Sequence, residues 1–330
     1  MRFIGWKAIG SCLLAALLTV PMWGKETDNR HNAMPGTLNY VEGQASIGDQ
    51  TLNSQDVGSA NLQNGEVLET GSGKAEILLT PGVYLRVGSN SSVKMISNSL
   101  INMEVAVNQG EAMVEVDQLY NENNLRIRQP GADTRITKTG LYDFDASNGD
   151  VRVFDGKAVV RADEHDVTLK KNHELQLSSE KLKAKGFDKD QVTKKDDLYR
   201  WSSLRSEYLS DANVNAAQMY YANGWYGPGW WGPGWYWDPW FAGYTFLPGS
   251  GFFYNPFGWG FYSPLMVWRA PVVIGGVHHF DGSRPVAIGN GFHNHSVTAY
   301  HGGYGQVGGG FHGGGMHAGG GFHGGGGGHR

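Results

Sequence analysis

Nine of the chain's 12 histidines (His278, His279, His293, His295, His301, His312, His317, His323 and His329) sit in Gly-rich sequence near the C-terminus. Neutral imidazole is a ligand for zinc, nickel and copper, so a flexible run of histidines binds such ions without a preformed geometry. A defined site needs fixed spacing and supporting partners, and this pattern offers neither. The expectation is weak, non-specific metal binding. The second group with chemistry in it is aromatic. Trp225, Trp230, Trp231, Trp235, Trp237 and Trp240 fall in approximate five-residue Gly-Trp-aromatic-Gly-Pro repeats. Aromatic faces of this size either pack away 150–250 Å² each or present a sticky surface for glycan or protein. Both readings stand at this point: a wrap over a neighbouring domain, or a binding surface.

Catalytic chemistry finds little purchase. Gly71-Ser72-Gly73-Lys74-Ala75 imitates a phosphate-binding loop, but Leu68 stands where the first Gly belongs and Ala75 lacks the hydroxyl for magnesium. Asp143, Asp145, Ser147, Gly149 and Asp150 imitate a calcium loop, but Asn148 and Phe154 occupy the positions that require Gly and Glu. An Asn-Gly hairpin with solvated acids is the expectation there. His165 and His173 occur singly in charged surroundings and read as surface residues. The pair Asp196-Asp197 lies in a charged stretch rather than an apolar pocket. No HExxH or GxSxG is present, and the one cysteine, Cys12, excludes an internal disulfide and a CxxC site. The expected protein is not an enzyme and carries no cofactor. A net charge of −4 excludes a strongly basic nucleic-acid binder.

The elements that position these residues read as strands. Val83, Leu85 and Val87 alternate with Tyr84 and Arg86; Ile101, Met103 and Val105 with Asn102 and Glu104; Ala112, Val114 and Val116 with Met113 and Glu115. Leu125 and Ile127 alternate with Arg126 and Arg128, and Leu175 and Leu177 flank Gln176. A period of two is the mark of half-buried strands. Turn formers separate the runs: Gly48-Asp49, Pro81-Gly82, Asn108-Gln109-Gly110, Pro130-Gly131, Asn148-Gly149 and Asp155-Gly156. Residues 37–182 are therefore expected to form one all-β domain, a sandwich, barrel or solenoid.

The order of motifs in this region resembles the FecR family. Gly43, Leu62 to Gly65 and Val67 to Gly73 resemble the opening of a FecR domain. Ala75 to Leu79 and Pro81 to Ser91 resemble its central Leu-Arg-x-Gly-x-Asn-Ser segment, and Gln109 to Ala112 the next strand entry. Gly140 to Phe144, Val151 to Lys157 and Val167 to Leu169 resemble the closing repeats. The resemblance implies a periplasmic, all-β, twisted two-layer solenoid-like or sandwich-like domain that recognises proteins. Regulators of this family relay iron-siderophore signals from an outer-membrane transporter to a sigma factor. They carry an anti-sigma segment and a membrane span ahead of the domain, where this sequence shows only a signal-like stretch.

That stretch, residues 1–24, combines Arg2 and Lys7 with the 13-residue apolar run Ala8 to Val20, then Pro21 and Gly24. It is short for a membrane span and reads as an export signal with a poor cleavage site at Met22-Trp23. Membrane contact is expected only through an uncleaved signal or a lipid on Cys12, whose Ile9-Gly10-Ser11 approach loosely imitates a lipoprotein box. Residues 25–36 form a polar lead-in, 183–195 a charged linker, and 196–222 a short helical segment striped by Leu198, Trp201, Leu204 and Tyr208. Ser210 to Asn213 is expected to end that helix and cap a second turn. Residues 223–270 form the aromatic Gly/Pro tract, expected as extended turns. Residues 271–330 cannot bury enough apolar area to offset their ordering entropy and are expected to be disordered. The protein is thus expected at the periplasm or cell surface, with an envelope protein or cell-wall glycan as partner.

Overall fold

The computed structural model describes residues 33–222 and 232–271. The signal-like segment, Cys12, Trp225, Trp230, Trp231 and the nine C-terminal histidines lie outside the described residues.

The first strands are β1 (Leu38–Glu42), β2 (Ala45–Ile47), β3 (Gln50–Thr51), β4 (Val67–Thr70), β5 (Lys74–Leu78) and β6 (Val83–Val87). They continue with β7 (Ser92–Ser99), β8 (Asn102–Gln109), β9 (Glu111–Val116), β10 (Arg126–Gln129), β11 (Ala132–Ile136) and β12 (Gly140–Asp145). The last of the two large sheets are β13 (Asp150–Asp155), β14 (Lys157–Ala162), β15 (His165–Lys170), β16 (His173–Gln176) and β17 (Lys185–Gly186). Two helices follow, α1 (Lys189–Lys195) and α2 (Asp197–Ala222). The aromatic tract then forms two hairpins, β18 (Gly234–Asp238) with β19 (Gly243–Leu247) and β20 (Phe252–Tyr254) with β21 (Gly260–Tyr262).

The first sheet has the order β1-β5-β6-β9-β12-β13-β16-β17, and the second β15-β14-β11-β10-β8-β7-β4-β2-β3. The chain passes back and forth between them one to three strands at a time, in keeping with the two-layer solenoid-like or sandwich-like expectation. Antiparallel pairing dominates, with β8 and β10 parallel. Between the layers lies one core, with Ile77, Leu85, Val114 and Phe144 from the first sheet facing Leu68, Met95, Val105 and Ile127 from the second. Each of the six expected turns places its Gly at positive φ, from Gly48 to Gly156, where side-chain-bearing residues are strained.

One expectation is corrected. The alternation predicts strands buried on one face and wet on the other. In β5, β6, β9 and β12 nearly every residue is buried. The face carrying Glu76, Leu78, Tyr84, Arg86, Met113, Glu115, Leu141 and Asp143 is covered as completely as the core face. The cover is α2 and the two aromatic hairpins, so the described chain up to Ala270 belongs to one compact unit.

The helix differs from expectation for a related reason. It runs 26 residues, through Ser210 to Asn213 without a break. Its buried stripe is Leu198, Trp201, Ser202, Arg205, Ser206, Leu209, Ala212, Asn213, Ala216 and Ala217. Leu204 and Tyr208 are only half-buried. Ser202, Arg205, Ser206 and Asn213 give the stripe polar members that meet polar groups on the sheet and hairpins. Inside the stretch read as a linker, α1 is capped by Asp188, whose side chain accepts from Asp190 N and Gln191 N. Among the described residues no helix is long and apolar enough to cross a membrane.

Candidate functional site

The covered face of the first sheet holds a cluster of buried charged and polar side chains. Arg86, in β6, is fully buried and donates from Nε to Glu76 Oε2 at 2.8 Å and from Nη1 to Glu115 Oε2. The strand register sets this up: Arg86 pairs with Glu76 on β5 and with Met113 on β9, two residues from Glu115 on the same face. From above, Arg205 of α2 donates to Glu76 Oε1 at 2.9 Å, and Ser206 donates to Glu115 Oε1 at 2.8 Å. Asn255, in the turn after β20, donates to Glu115 Oε1 at 2.7 Å and to Ser206 Oγ. Asn39 donates to Glu76 Oε1 at 2.8 Å and bonds Tyr244 through both its backbone groups. Burial alone raises the Glu76 carboxyl, but Arg205 and Arg86 outweigh it and hold the group at about 2. Burial opposes the charge on Arg86, yet Glu115 and Glu76 outweigh it and strengthen its hold on the proton. Unpaired, any of these charges would cost several kcal/mol (~3–5) to bury. Together they join sheet, helix and hairpins.

The aromatic residues sort by exposure. Trp235 and Trp237 are half-buried and pack on the domain. Trp235 meets Tyr84 edge-on at 4.8 Å, and Trp237 meets Tyr244 at 5.1 Å. Gly58, at φ +80°, gives Trp237 its seat, since a Cβ there would lie 2.9 Å from the indole. Trp240 is 84% exposed. A further exposed group was not singled out from sequence: Tyr254, Leu265 and Trp268, the last 66% exposed. Arg269 lies over Trp268 at 4.9 Å and over Phe252 at 5.7 Å. The wrap reading thus holds for Trp235 and Trp237, and Trp240 stays outward.

A second charged cluster lies where α2 begins. Glu111 of β9, Asp143 of β12 and Asp196, between the two helices, bring carboxylate oxygens within 4.8 Å of one another. Glu111 pairs across the strands with Asp145, so it sits diagonally from Asp143 on one face. Arg152 of β13 donates to Asp143 Oδ2 at 3.1 Å, Asp150 Oδ2 at 2.6 Å and Glu174 Oε2 at 3.2 Å. Burial, then Asp196 and Asp145, push the Glu111 carboxyl up to about 7. Burial, Glu111 and Asp196 raise Asp143 well above the usual range, and burial raises Asp196. The expectation that Asp196-Asp197 lies in a charged stretch rather than an apolar pocket is corrected for Asp196 alone, which is half-buried, whereas Asp197 stays exposed. Asp196 is held against the sheet and accepts from Tyr199 N at 2.7 Å, while Asp197 bonds Lys74 at 2.8 Å.

The other sequence candidates stay apart. Gly71 to Gly73 forms the turn between β4 and β5, with Gly73 tight against Gly43. Asp145 caps the Asn-Gly turn, accepting from Ser147 N and Asn148 N, so the imitation calcium loop does not converge on an ion. His165 is exposed and His173 half-buried, in separate sheets.

Residues 66–159, from β4 into β14 of the two-sheet core, match the family model described as FecR protein. Two crystal structures of a "putative anti-sigma factor" from Parabacteroides distasonis ATCC 8503, at 1.65 and 2.50 Å resolution, are also similar. They share 17% and 18% identity, with TM-scores of 0.34 and 0.33, over 38% of this chain. The chain spans 62% and 61% of the length of those structures. None of the curated proteins matches the chain.

Proposed function

We propose that this protein is a non-enzymatic recognition and scaffolding module of the cell envelope, acting in signalling or regulation through protein contacts. The carrying observation is the FecR match across β4 to β14, the heart of the double sheet. The site chemistry supports it. Arg86, Glu76, Glu115 and Arg205 are paired with one another beneath the helix, an arrangement that ties the sheet to its cover. Among the large apolar residues the unit exposes are Trp240, Tyr254, Leu265 and Trp268. Such residues, flanked by Arg269, are the kind that anchor protein interfaces. Arg2, Lys7 and the apolar run to Val20 support export to the periplasm or cell surface.

A second reading, adhesion to glycan or cell-wall material, is favoured by the 84% exposure of Trp240, an indole face open to stack on sugar. Fractionation and site-specific photocrosslinking from positions 240 and 268 of the full chain separate these. Envelope recovery with a discrete protein adduct, lost in Trp268→Ala, supports the first. Adducts with cell-wall polymer alone support the second. A soluble cytoplasmic chain that retains Met1 overturns both.

A further inference from the structure

The cluster at the start of α2 is not balanced by the protein's own charges. Facing it are Glu111 from β9, Asp143 and Asp145 from β12, Asp150 and Arg152 from β13, Glu174 from β16, and Asp196 and Asp197 from the helix junction. Arg152 is the one cation among these and is divided between Asp143, Asp150 and Glu174. Lys74 and Arg200 are taken by Asp197. Asp145 is taken by the backbone of its own turn. Among the described residues no ion pair reaches Glu111 or Asp196.

A second observation is independent of the charge count. Asp143 is fully buried; Arg152 holds its Oδ2, while its Oδ1 receives no hydrogen bond. A buried carboxylate oxygen without a donor costs more than a protein side chain normally tolerates. Asp143 also brings one carboxylate oxygen within 4.8 Å of oxygens of Glu111 and Asp196. Both of those are half-buried and so reachable by water.

We propose that Glu111, Asp143 and Asp196 bind a hard divalent cation of the calcium class, which clamps the start of α2 to the covered face of the first sheet. The donor set is all oxygen, with no histidine or cysteine, and oxygen ligands suit calcium, magnesium or manganese rather than zinc or nickel. Calcium takes six to eight oxygens in flexible geometry. Three carboxylates and waters entering past Glu111 and Asp196 can meet that need. The cation would supply the missing partner of Asp143 Oδ1 and remove the repulsion between strands β9 and β12 and the helix. Because Asp196 also caps α2 through Tyr199 N, occupancy would tune how firmly the helix and hairpins are seated.

The full chain, stripped with EDTA at pH 7.5, is melted with and without calcium chloride, and calcium binding is followed by calorimetry. Calcium at about 100 times its Kd should raise Tm by roughly 5 °C or more. Glu111→Gln should fold in EDTA at least as well as the parent, since one unpaired charge is gone, yet lose the calcium response. Asp196→Asn should lose it too. The histidine-rich tail does not confuse the result, because imidazole disfavours calcium. A melt unmoved by calcium, or a calcium rise that survives in Glu111→Gln, overturns the proposal. So does a melt that responds to acid but not to calcium, which would mean a shared proton fills the cluster.

Discussion

Arg205 and Glu76 lie 129 residues apart in sequence and 2.9 Å apart in the structure, both buried, one on the helix and one on the sheet. The bond crosses the boundary at residue 182 where the pattern of alternation ends. Glu76 is gripped from below by Arg86 and from above by Arg205, so the sheet has no dry alternative for these charges once the helix is removed. The β domain and the segment after it are thus joined by ion pairs as well as by apolar packing.

Glu76→Gln is expected to destabilise the protein by ~3–5 kcal/mol, because it leaves Arg205 under the helix with no carboxylate and Arg86 with Glu115 alone. Chemical denaturation at neutral pH measures it. The group also sets an acid limb. Its folded pKa, about 2, is below its unfolded value of 4.5, so its contribution is complete above the unfolded value. It is lost as pH falls from there toward 2. Glu76→Gln should flatten that part of the pH–stability curve, and an unchanged acid limb would refute the assignment.

A fragment of residues 33–182 is expected to fold poorly or aggregate, while 33–271 melts cooperatively. The shorter fragment uncovers Leu78, Tyr84, Met113 and Leu141 on strands otherwise buried on both sides, an apolar patch of the kind that drives association. Circular dichroism and size-exclusion chromatography of the two fragments decide it. A monomeric, cooperative 33–182 fragment would show that the cover is dispensable.

Much of the double sheet was legible because period-two alternation and Gly turns are local signals. Ile77, Leu85, Val114 and Phe144 fill the core as the pattern implies. The second buried face was not legible. Glu76, Arg86 and Glu115 read as wet residues, since a single strand gives no sign that its charged face has a partner far along the chain. The same holds for part of α2: hydrophobic periodicity finds Leu198 and Trp201, which are buried, but points to Leu204 and Tyr208 where the buried face continues through Ser202, Arg205, Ser206 and Asn213. One signal was available: Glu-x-x-x-x-x-x-x-x-x-Arg from Glu76 to Arg86, with Glu115 on a following strand, places opposite charges on one sheet face.

The aromatic residues should divide by experiment as they divide by exposure. Trp237→Ala is expected to cost about 3 kcal/mol, and Gly58→Ala should also destabilise, because its Cβ would meet the Trp237 ring. Trp240→Ala should change stability by less than ~0.5 kcal/mol and act only on binding. Thermal melts of the three variants test this. Equal losses for Trp237 and Trp240 would contradict the packing.

Asn255 joins the second hairpin to the buried network. Its Nδ2 donates to Glu115 and Ser206, and its Oδ1 accepts from Phe257 N and Trp259 N. Asn255→Ala removes one of the two donors to Glu115 Oε1, which keeps Ser206, and strands two backbone donors, so it should cost ~1–3 kcal/mol. Asn255→Asp keeps the shape but sets a second negative charge against Glu115, so it should cost more at neutral pH than the alanine variant. Denaturant midpoints of the two rank them, and the reverse order would mean that Asn255 acts through shape alone.

The metal-free protein should become more stable as pH drops from 8 toward 5.5, opposite in sign to the Glu76 limb. Burial raises Glu111 to about 7, and raises Asp143 and Asp196 as well. An acid whose folded pKa lies above its unfolded value binds more protons in the folded state over that interval. Stability then falls as pH rises through the folded value. For Glu111 the interval runs from the usual carboxylate range to about 7, so in EDTA the curve should decline between pH 5.5 and 8. Glu111→Gln should level this decline and leave the acid limb below pH 4.5 in place, because Glu76 is untouched by the change. Melting curves of the two proteins at half-unit pH steps make the comparison. A parent curve that rises from pH 5.5 to 8 would show that the three carboxylates are balanced by some other group.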